Sequence, residues 1–208
     1  KLLALGFDGI VAACGTHIEF EGEKLFELLL TNEQIKHILT VLRKYQIPMV
    51  LEGPNYIYVD EKDFRDDPYV IYLRNELGEN LKSITGIAQY EVNKLSAELG
   101  NADVELVRKE LGTEFDMIVH EPDGILEIGQ AGHSKASGIE RLCAFLGIAK
   151  EDTYAFGDSA NDVEMLEFVA HGIAMGNGTD VAKNAPEFIT TDIHKDGIWN
   201  GLKHYGLI

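Results

Sequence analysis

From Ser134 to the C-terminus, helical periodicities alternate with short apolar runs, and that alternation leaves few folds open. Ile139, Leu142, Cys143 and Leu146 recur at i, i+3, i+4 and i+7, which places one face of a helix on a core. Ser137 and Glu140 have capping-box spacing at its start, and Gly147 is a stop signal at its end. Short apolar strands follow at Thr153, Gly172 and Phe188, with helical stretches between them. Strands alternating with helices imply a parallel sheet of α/β type.

The first part of the chain has a different grain. Ile10, Val11 and Ala12 form an apolar run that reads as a strand, and His17 to Glu27 alternates around Glu21-Gly22-Glu23 as a hairpin. Glu33 to Tyr45 reads as a helix with Ile35, Ile38, Leu39 and Leu42 on one face. Strands are expected at Met49–Leu51 and Tyr56–Val59, around Glu52-Gly53-Pro54-Asn55. A helix and then loop is expected within Phe64–Ile84, a strand over Val92–Ser96 and a helix over Ala102–Leu111. Phe115–His120 and Ile125–Ile128 read as a last hairpin across Glu121-Pro122-Asp123-Gly124, so the change of pattern falls near residues 123–130.

The chemistry concentrates in Gly157-Asp158-Ser159-Ala160-Asn161-Asp162. It follows the Thr153 strand and opens a helical pattern carried by Val163 and Leu166. Asp158 therefore lies at the carboxyl end of a strand, where open α/β sheets bind ligands. Asn161 and Asp162 fall at a helix start, near unpaired backbone N–H groups and the positive end of the dipole. Hard oxygen ligands beside N–H donors suit a magnesium ion bridging to a phosphate. Asp and Asn are also common helix caps, and capping alone would account for their position. Lys135, in Gly132-His133-Ser134-Lys135, stands at a second helix N-terminus, where a cation costs roughly 0.3–1 kcal/mol. A phosphate or the Asp158/Asp162 pair would offset that cost.

Three segments together carry a family resemblance: Ser134-Lys135-Ala136-Ser137-Gly138-Ile139, then Gly157 through Leu166, then Ala174-Met175-Gly176-Asn177-Gly178. They resemble the Cof-type sugar-phosphatase branch of the haloacid dehalogenase superfamily, subfamily IIB. Asp196-Gly197-Ile198-Trp199 and Gly6-Phe7-Asp8-Gly9-Ile10-Val11 look like the same branch. The resemblance implies a Rossmann-like parallel core, residues 1–15 and 124–208, with an inserted α+β cap domain over residues 16–123. It implies a magnesium-dependent phosphohydrolase acting on a small phosphorylated metabolite, a sugar phosphate or similar, through a phosphoaspartate intermediate. In that frame Asp158 ligates Mg2+, Lys135 neutralises the nucleophile and a phosphate oxygen, Asn161 hydrogen-bonds the phosphoryl group, and Asp162 orients Lys135 or the metal shell. Met175-Gly176-Asn177-Gly178 reads from its own residues as a tight turn with a structural role, its glycines allowing close approach to the Asp158 loop, and Thr179 caps a short helix ended by Pro186.

One departure matters. The family's nucleophile is the first Asp of an Asp-x-Asp-Gly-Thr motif, and this sequence contains none; Asp8-Gly9 is the nearest text. The Thr or Ser of the family's second motif is missing as well, and Cys14-Gly15 stands where Asn-Gly is usual. These departures lead us to expect a core incomplete at its N-terminus, short of two βα units, roughly 40–60 residues at about 30 per βαβ unit. The central strand and the nucleophile would lie there, and without the nucleophile the 208-residue chain would have no turnover of its own.

A formal net charge of −17 argues against nucleic acid or anionic membrane partners. It also repels phosphate, so a phosphate site needs local positive charge. No run of about 18 apolar residues exists, and a soluble cytoplasmic protein is expected. Cys14 and Cys143 have no metal-ligand spacing, and the histidines lack the i, i+4 pairing of a zinc site. His133 and His120 are conceivable pocket residues, with a solvated role as the simpler reading. Two other functions stay open: a phosphomutase-like transferase on the same core, or a non-catalytic phosphate- or metal-binding module.

Overall fold

The computed structural model describes residues 5–84, 90–120 and 124–208. The chain divides into two compact units, residues 1–132 and 133–208. The change of pattern expected near residues 123–130 thus becomes a break between Gly132 and His133, and the last hairpin belongs to the first unit.

The first unit opens with an antiparallel meander of β1 (Gly9–Ala12), β2 (His17–Phe20) and β3 (Glu23–Glu27). The β2–β3 turn is made by Glu21 and Gly22, both at positive φ (51° and 81°). That is the backbone twist a two-residue hairpin requires. The unit continues through α1 (Asn32–Lys44), β4 (Met49–Glu52), β5 (Ile57–Val59), α2 (Glu61–Phe64), α3 (Pro68–Leu77) and β6 (Leu81–Ser83). It ends with β7 (Lys94–Glu98), α4 (Val104–Leu111), β8 (Phe115–His120) and β9 (Ile125–Gln130). A six-stranded sheet runs β6-β5-β4-β7-β9-β8, antiparallel except where β5 meets β6.

Thr31 starts α1 with a reciprocal cap: its Oγ1 accepts the Gln34 N–H, and Gln34 Oε1 accepts the Thr31 N–H. Ile35, Ile38 and Leu42 of α1 then bury against Met49, Leu51, Leu95, Leu126 and Ile128 of the sheet. Because side chains alternate along a strand, Glu52, Lys94 and Glu127 emerge on the opposite face, where they pair with one another.

Residues Phe64–Ile84 correct the expectation of one helix and then loop. Asp67 caps α3, accepting the Tyr69 N–H, and Pro68 at the first helical position fixes its start. The supposed loop contains β6, which pairs in parallel with β5. The turn expected across Glu121-Pro122-Asp123-Gly124 falls largely on residues 121–123, which lie outside the described residues.

The second unit runs α5 (Lys135–Leu146), β10 (Tyr154–Gly157), α6 (Val163–Phe168), β11 (His171–Ala174), α7 (Asp180–Lys183), β12 (Phe188–Ile189) and α8 (Gly197–His204). β10, β11 and β12 pair in parallel in that order, which is the expected βα alternation. Gly147 ends α5 in the left-handed conformation, φ 69° and ψ 27°, as its position indicated. The N-terminal cap of α5 is shifted from expectation: Ser134 and Ser137 form the reciprocal pair, rather than Ser137 and Glu140. Cys143 is half-buried and free, less enclosed than its place on the apolar face suggested.

Candidate functional site

Lys135, Asp158, Asn161 and Asp162 all border one cavity of about 480 Å3 in the second unit. It opens at the carboxyl ends of β10 and β11, past Gly157 and Ala174. Phe156, Met175, Ile193 and Ile198 supply its apolar side.

Lys135 is the first residue of α5, a poor place for a cation unless an anion answers it. The answer comes from the β10–α6 loop. Lys135 Nζ donates to Asp162 Oδ1 at 2.5 Å and to Asn161 Oδ1 at 3.0 Å. The other Asp162 oxygen, Oδ2, accepts the Asp158 N–H at 2.9 Å, the Ser159 N–H at 3.0 Å and the Ser159 hydroxyl at 3.3 Å. Asp162 is 5% exposed. Burial alone would push its carboxyl up, but the Lys135 hydrogen bond and charge and the two backbone N–H groups outweigh it, so its pKa lies below the ordinary carboxylate value.

Gly157 is what lets Asp162 come so close. A Cβ at residue 157 would lie 2.6 Å from Asp162 Cβ and 3.1 Å from Leu166 Cδ1. The carboxylate therefore folds back under its own loop and holds Lys135. Both its oxygens accept hydrogen bonds within the chain, one of them from Lys135.

Asp158 is the opposite case. Its backbone carbonyl accepts the Thr179 N–H at 2.8 Å, which fixes the loop. Its carboxylate has no hydrogen-bond or ion-pair partner among the described residues, and the residue is exposed at the cavity. No group of three or more His, Cys, Asp or Glu that could hold a metal occurs among the described residues. One uncommitted carboxylate fits magnesium, which keeps several waters and takes one or two carboxylates plus phosphate oxygens. It does not fit a closed, all-protein cage such as structural zinc requires.

Asn161 has its Oδ1 taken twice, by Lys135 Nζ and by the Ser159 hydroxyl at 2.7 Å. The Lys135 ammonium can only donate, which fixes the amide oxygen toward it. Nδ2 is left as the amide's free donor.

Two residues of the cavity were missed from sequence. Ser159 orients both Asn161 and Asp162, a role hidden because a Ser in such a loop looks like an ordinary cap. Asn177 also borders the cavity, although the Met175–Gly178 stretch was read only as a turn. That turn exists, closed by the Gly178 N–H on the Met175 carbonyl at 2.9 Å. His133 is not among the residues lining the cavity, and His120 belongs to the first unit, 3.3 Å from Glu127. A groove of about 650 Å3 at the amino ends of β11 and β12 is lined by His171, Phe188, His204 and Tyr205. Its charged lining is Glu167 and Glu187, with no lysine to answer an anion, so the smaller cavity is the better candidate.

A family model for haloacid dehalogenase-like hydrolases matches residues 2–202. The chain belongs to that family. The Cof-type phosphatase resemblance carried by its motifs holds, as does the α/β fold class. Similar proteins include the 5-amino-6-(5-phospho-D-ribitylamino)uracil phosphatase YitU of Bacillus subtilis, 35% identical over 138 residues. That match covers 64% of this chain and 47% of the relative, so it spans less than half of YitU. The putative phosphatase YkrA of the same organism is 28% identical over 218 residues, covering 98% of this chain and 78% of the relative. A solved HAD subclass IIB sugar phosphatase superposes with a TM-score of 0.84, covering all of this chain and 79% of that one. At 21% identity it speaks for the fold alone. Membership places the chain among phosphoric monoester hydrolases.

Proposed function

We propose that this chain carries the phosphate- and metal-binding part of a magnesium-dependent phosphohydrolase acting on a small phosphorylated metabolite. The observation that carries the reading is the Lys135 ammonium, fixed by Asp162 and Asn161 on the rim of a cavity that also presents the uncommitted Asp158 carboxylate. In this reading Lys135 faces a phosphate oxygen, and Asn161 Nδ2 donates to another. Asp162 holds Lys135 in place, and Asp158 takes the magnesium ion. When bound, magnesium supplies charge neutralisation for the phosphoryl group. Positioning and charge stabilisation carry most of the catalysis in phosphoryl transfer.

The covalent step calls for an aspartate nucleophile of the kind the family carries in Asp-x-Asp-Gly-Thr, a motif this sequence does not contain. Residues 16–123 would serve as the cap that sets specificity and excludes water. The name of the relative YitU, a phosphatase of a phosphorylated ribityl compound, supports a substrate of the phosphorylated sugar or polyol kind. The net charge of −17 speaks against nucleic acid or an anionic membrane as partner, and a cytoplasmic setting is part of the same proposal. No helix among the described residues is long and apolar enough to cross a membrane.

The test is equilibrium binding of glucose 6-phosphate to the 208-residue chain with magnesium present, against glucose as control. Binding of the phosphate ester alone, lost in Lys135→Ala, is the expected result. Equal retention of both sugars, or of the ester by Lys135→Ala, would sink the reading.

A further inference from the structure

We propose that Asn177 is a second anion-binding residue of this site, donating from its side-chain Nδ2 to a phosphate oxygen. The proposal rests on the reading of the cavity as a phosphate site.

Charge balance creates the need. The cavity is lined by one ammonium, Lys135, against two carboxylates, Asp158 and Asp162. Lys135 is already paired with Asp162 at 2.5 Å. A phosphate monoester brings up to two further negative charges, which leaves a part in the holding for neutral N–H donors beside magnesium. Asn161 Nδ2 is one. A second lies on the loop after β11.

Three contacts fix that loop, two of them to the Asp158 loop and one to Thr191. The Thr179 N–H donates to the Asp158 carbonyl at 2.8 Å. The Gly176 N–H donates to the Thr191 carbonyl at 3.2 Å. Gly178 packs so closely that a Cβ there would meet Asp158 Cα and its carbonyl oxygen, each at 3.0 Å. Asn177, between the two glycines, is thereby carried to the cavity wall.

Its amide is also oriented. The Ile193 backbone N–H, which can only donate, reaches Asn177 Oδ1 at 2.9 Å. The oxygen is therefore committed, and Nδ2 remains with no partner among the described residues. Asn161 is held in the same way, by Lys135 and Ser159 on its oxygen. Two amides on two loops, each anchored through its oxygen, leave two N–H donors at one cavity.

The experiment is a 31P NMR titration of inorganic phosphate into the 208-residue chain with magnesium, alongside thermal melting. Wild type, Asn177→Ala, Asn177→Asp and Lys135→Ala are compared. Asn177→Asp keeps an oxygen for the Ile193 N–H, so its melting temperature should stay within a few degrees of wild type; it decides the matter if Asn177→Ala does not fold. Loss of a donor to a charged group should weaken phosphate binding about tenfold or more in Asn177→Ala. Asn177→Asp should weaken it at least as much, because a carboxylate replaces the donor. If both Asn177 variants bind within twofold of wild type while Lys135→Ala does not bind, the role of Asn177 is refuted and the phosphate site stands. If wild type takes up no phosphate, both fall together.

Discussion

Replacing Asp162 by Asn removes one charge from the centre of the site and nothing of its volume. In the native protein that carboxylate answers Lys135 through one oxygen and two backbone N–H groups through the other. Asn can still accept with Oδ1, but it offers an N–H where the second oxygen stood, against either the lysine or the loop amides. Breaking a fully buried ion pair costs about 3–5 kcal/mol. Here the side chain of Asp162 is 7% exposed and that of Lys135 33%, so solvent recovers part of the lysine's hydration. We expect a loss of about 2–3 kcal/mol at pH 7. Trp199 in α8, the one tryptophan of the sequence, reports on the second unit, so urea unfolding followed by its fluorescence is the assay. The pH dependence has a definite sign. A carboxyl held below its ordinary value of 3.8 contributes stability above that pH and loses it as pH falls through the folded value. The gap between wild type and Asp162→Asn should hold steady from pH 7 to about 5 and close in stronger acid. A loss under about 0.5 kcal/mol, the range of ordinary surface substitutions, or a gap that does not close in acid, would refute this account of Asp162.

Gly157→Ala forces a Cβ to within 2.6 Å of Asp162 Cβ, and overpacking of that kind costs about 1–3 kcal/mol by the same urea assay; unchanged stability would mean the loop has room the structure does not show. In the first unit, Lys94 lies 3.0 Å from Glu127 and 3.5 Å from Glu52 with only 13% of its side chain exposed. Burial pushes the Glu127 carboxyl up, but Lys94 and Cys14 outweigh it and hold its pKa below the ordinary value. Lys94→Ala should therefore cost about 2–4 kcal/mol in circular-dichroism melts, by removing the cation that two half-buried carboxylates share and leaving them only Cys14, His120 and Ser96, with Lys94→Arg retaining most of it. Finally, the 208-residue chain with magnesium should release no phosphate from sugar phosphates, since no phosphoaspartate forms without a nucleophilic aspartate; measurable release would show that another residue attacks phosphorus.

The βα grain of the second unit was readable because its signals are local. Gly147 and Thr179 act as caps within a few residues of where they stand. Gly157 through Asp162 is one contiguous loop, and its place after a strand follows from its neighbours alone. The tie from Lys135 to Asn161 and Asp162 crosses 26 and 27 residues of chain. Two arguments pointed to it: an N-terminal cation wants an anion, and the family resemblance sets Asp162 beside Lys135. Asn177 was illegible because its value depends on the Ile193 N–H, 16 residues away, holding its amide. β6 was lost because three residues, Leu81, Lys82 and Ser83, cannot show a period. The break after Gly132 was placed too early because the β8–β9 hairpin pairs with β7, a long-range register that no local pattern reports.

The claim on which the rest depends is that the cavity of Asp158 and Lys135 takes magnesium and phosphate together. Calorimetric titration of magnesium into the 208-residue chain, with and without inorganic phosphate, tests it most directly. Magnesium binding strengthened by phosphate in wild type, and abolished in Asp158→Ala without change in the unfolding of the second unit, is the expected result. An Asp158→Ala isotherm that matches wild type would contradict it.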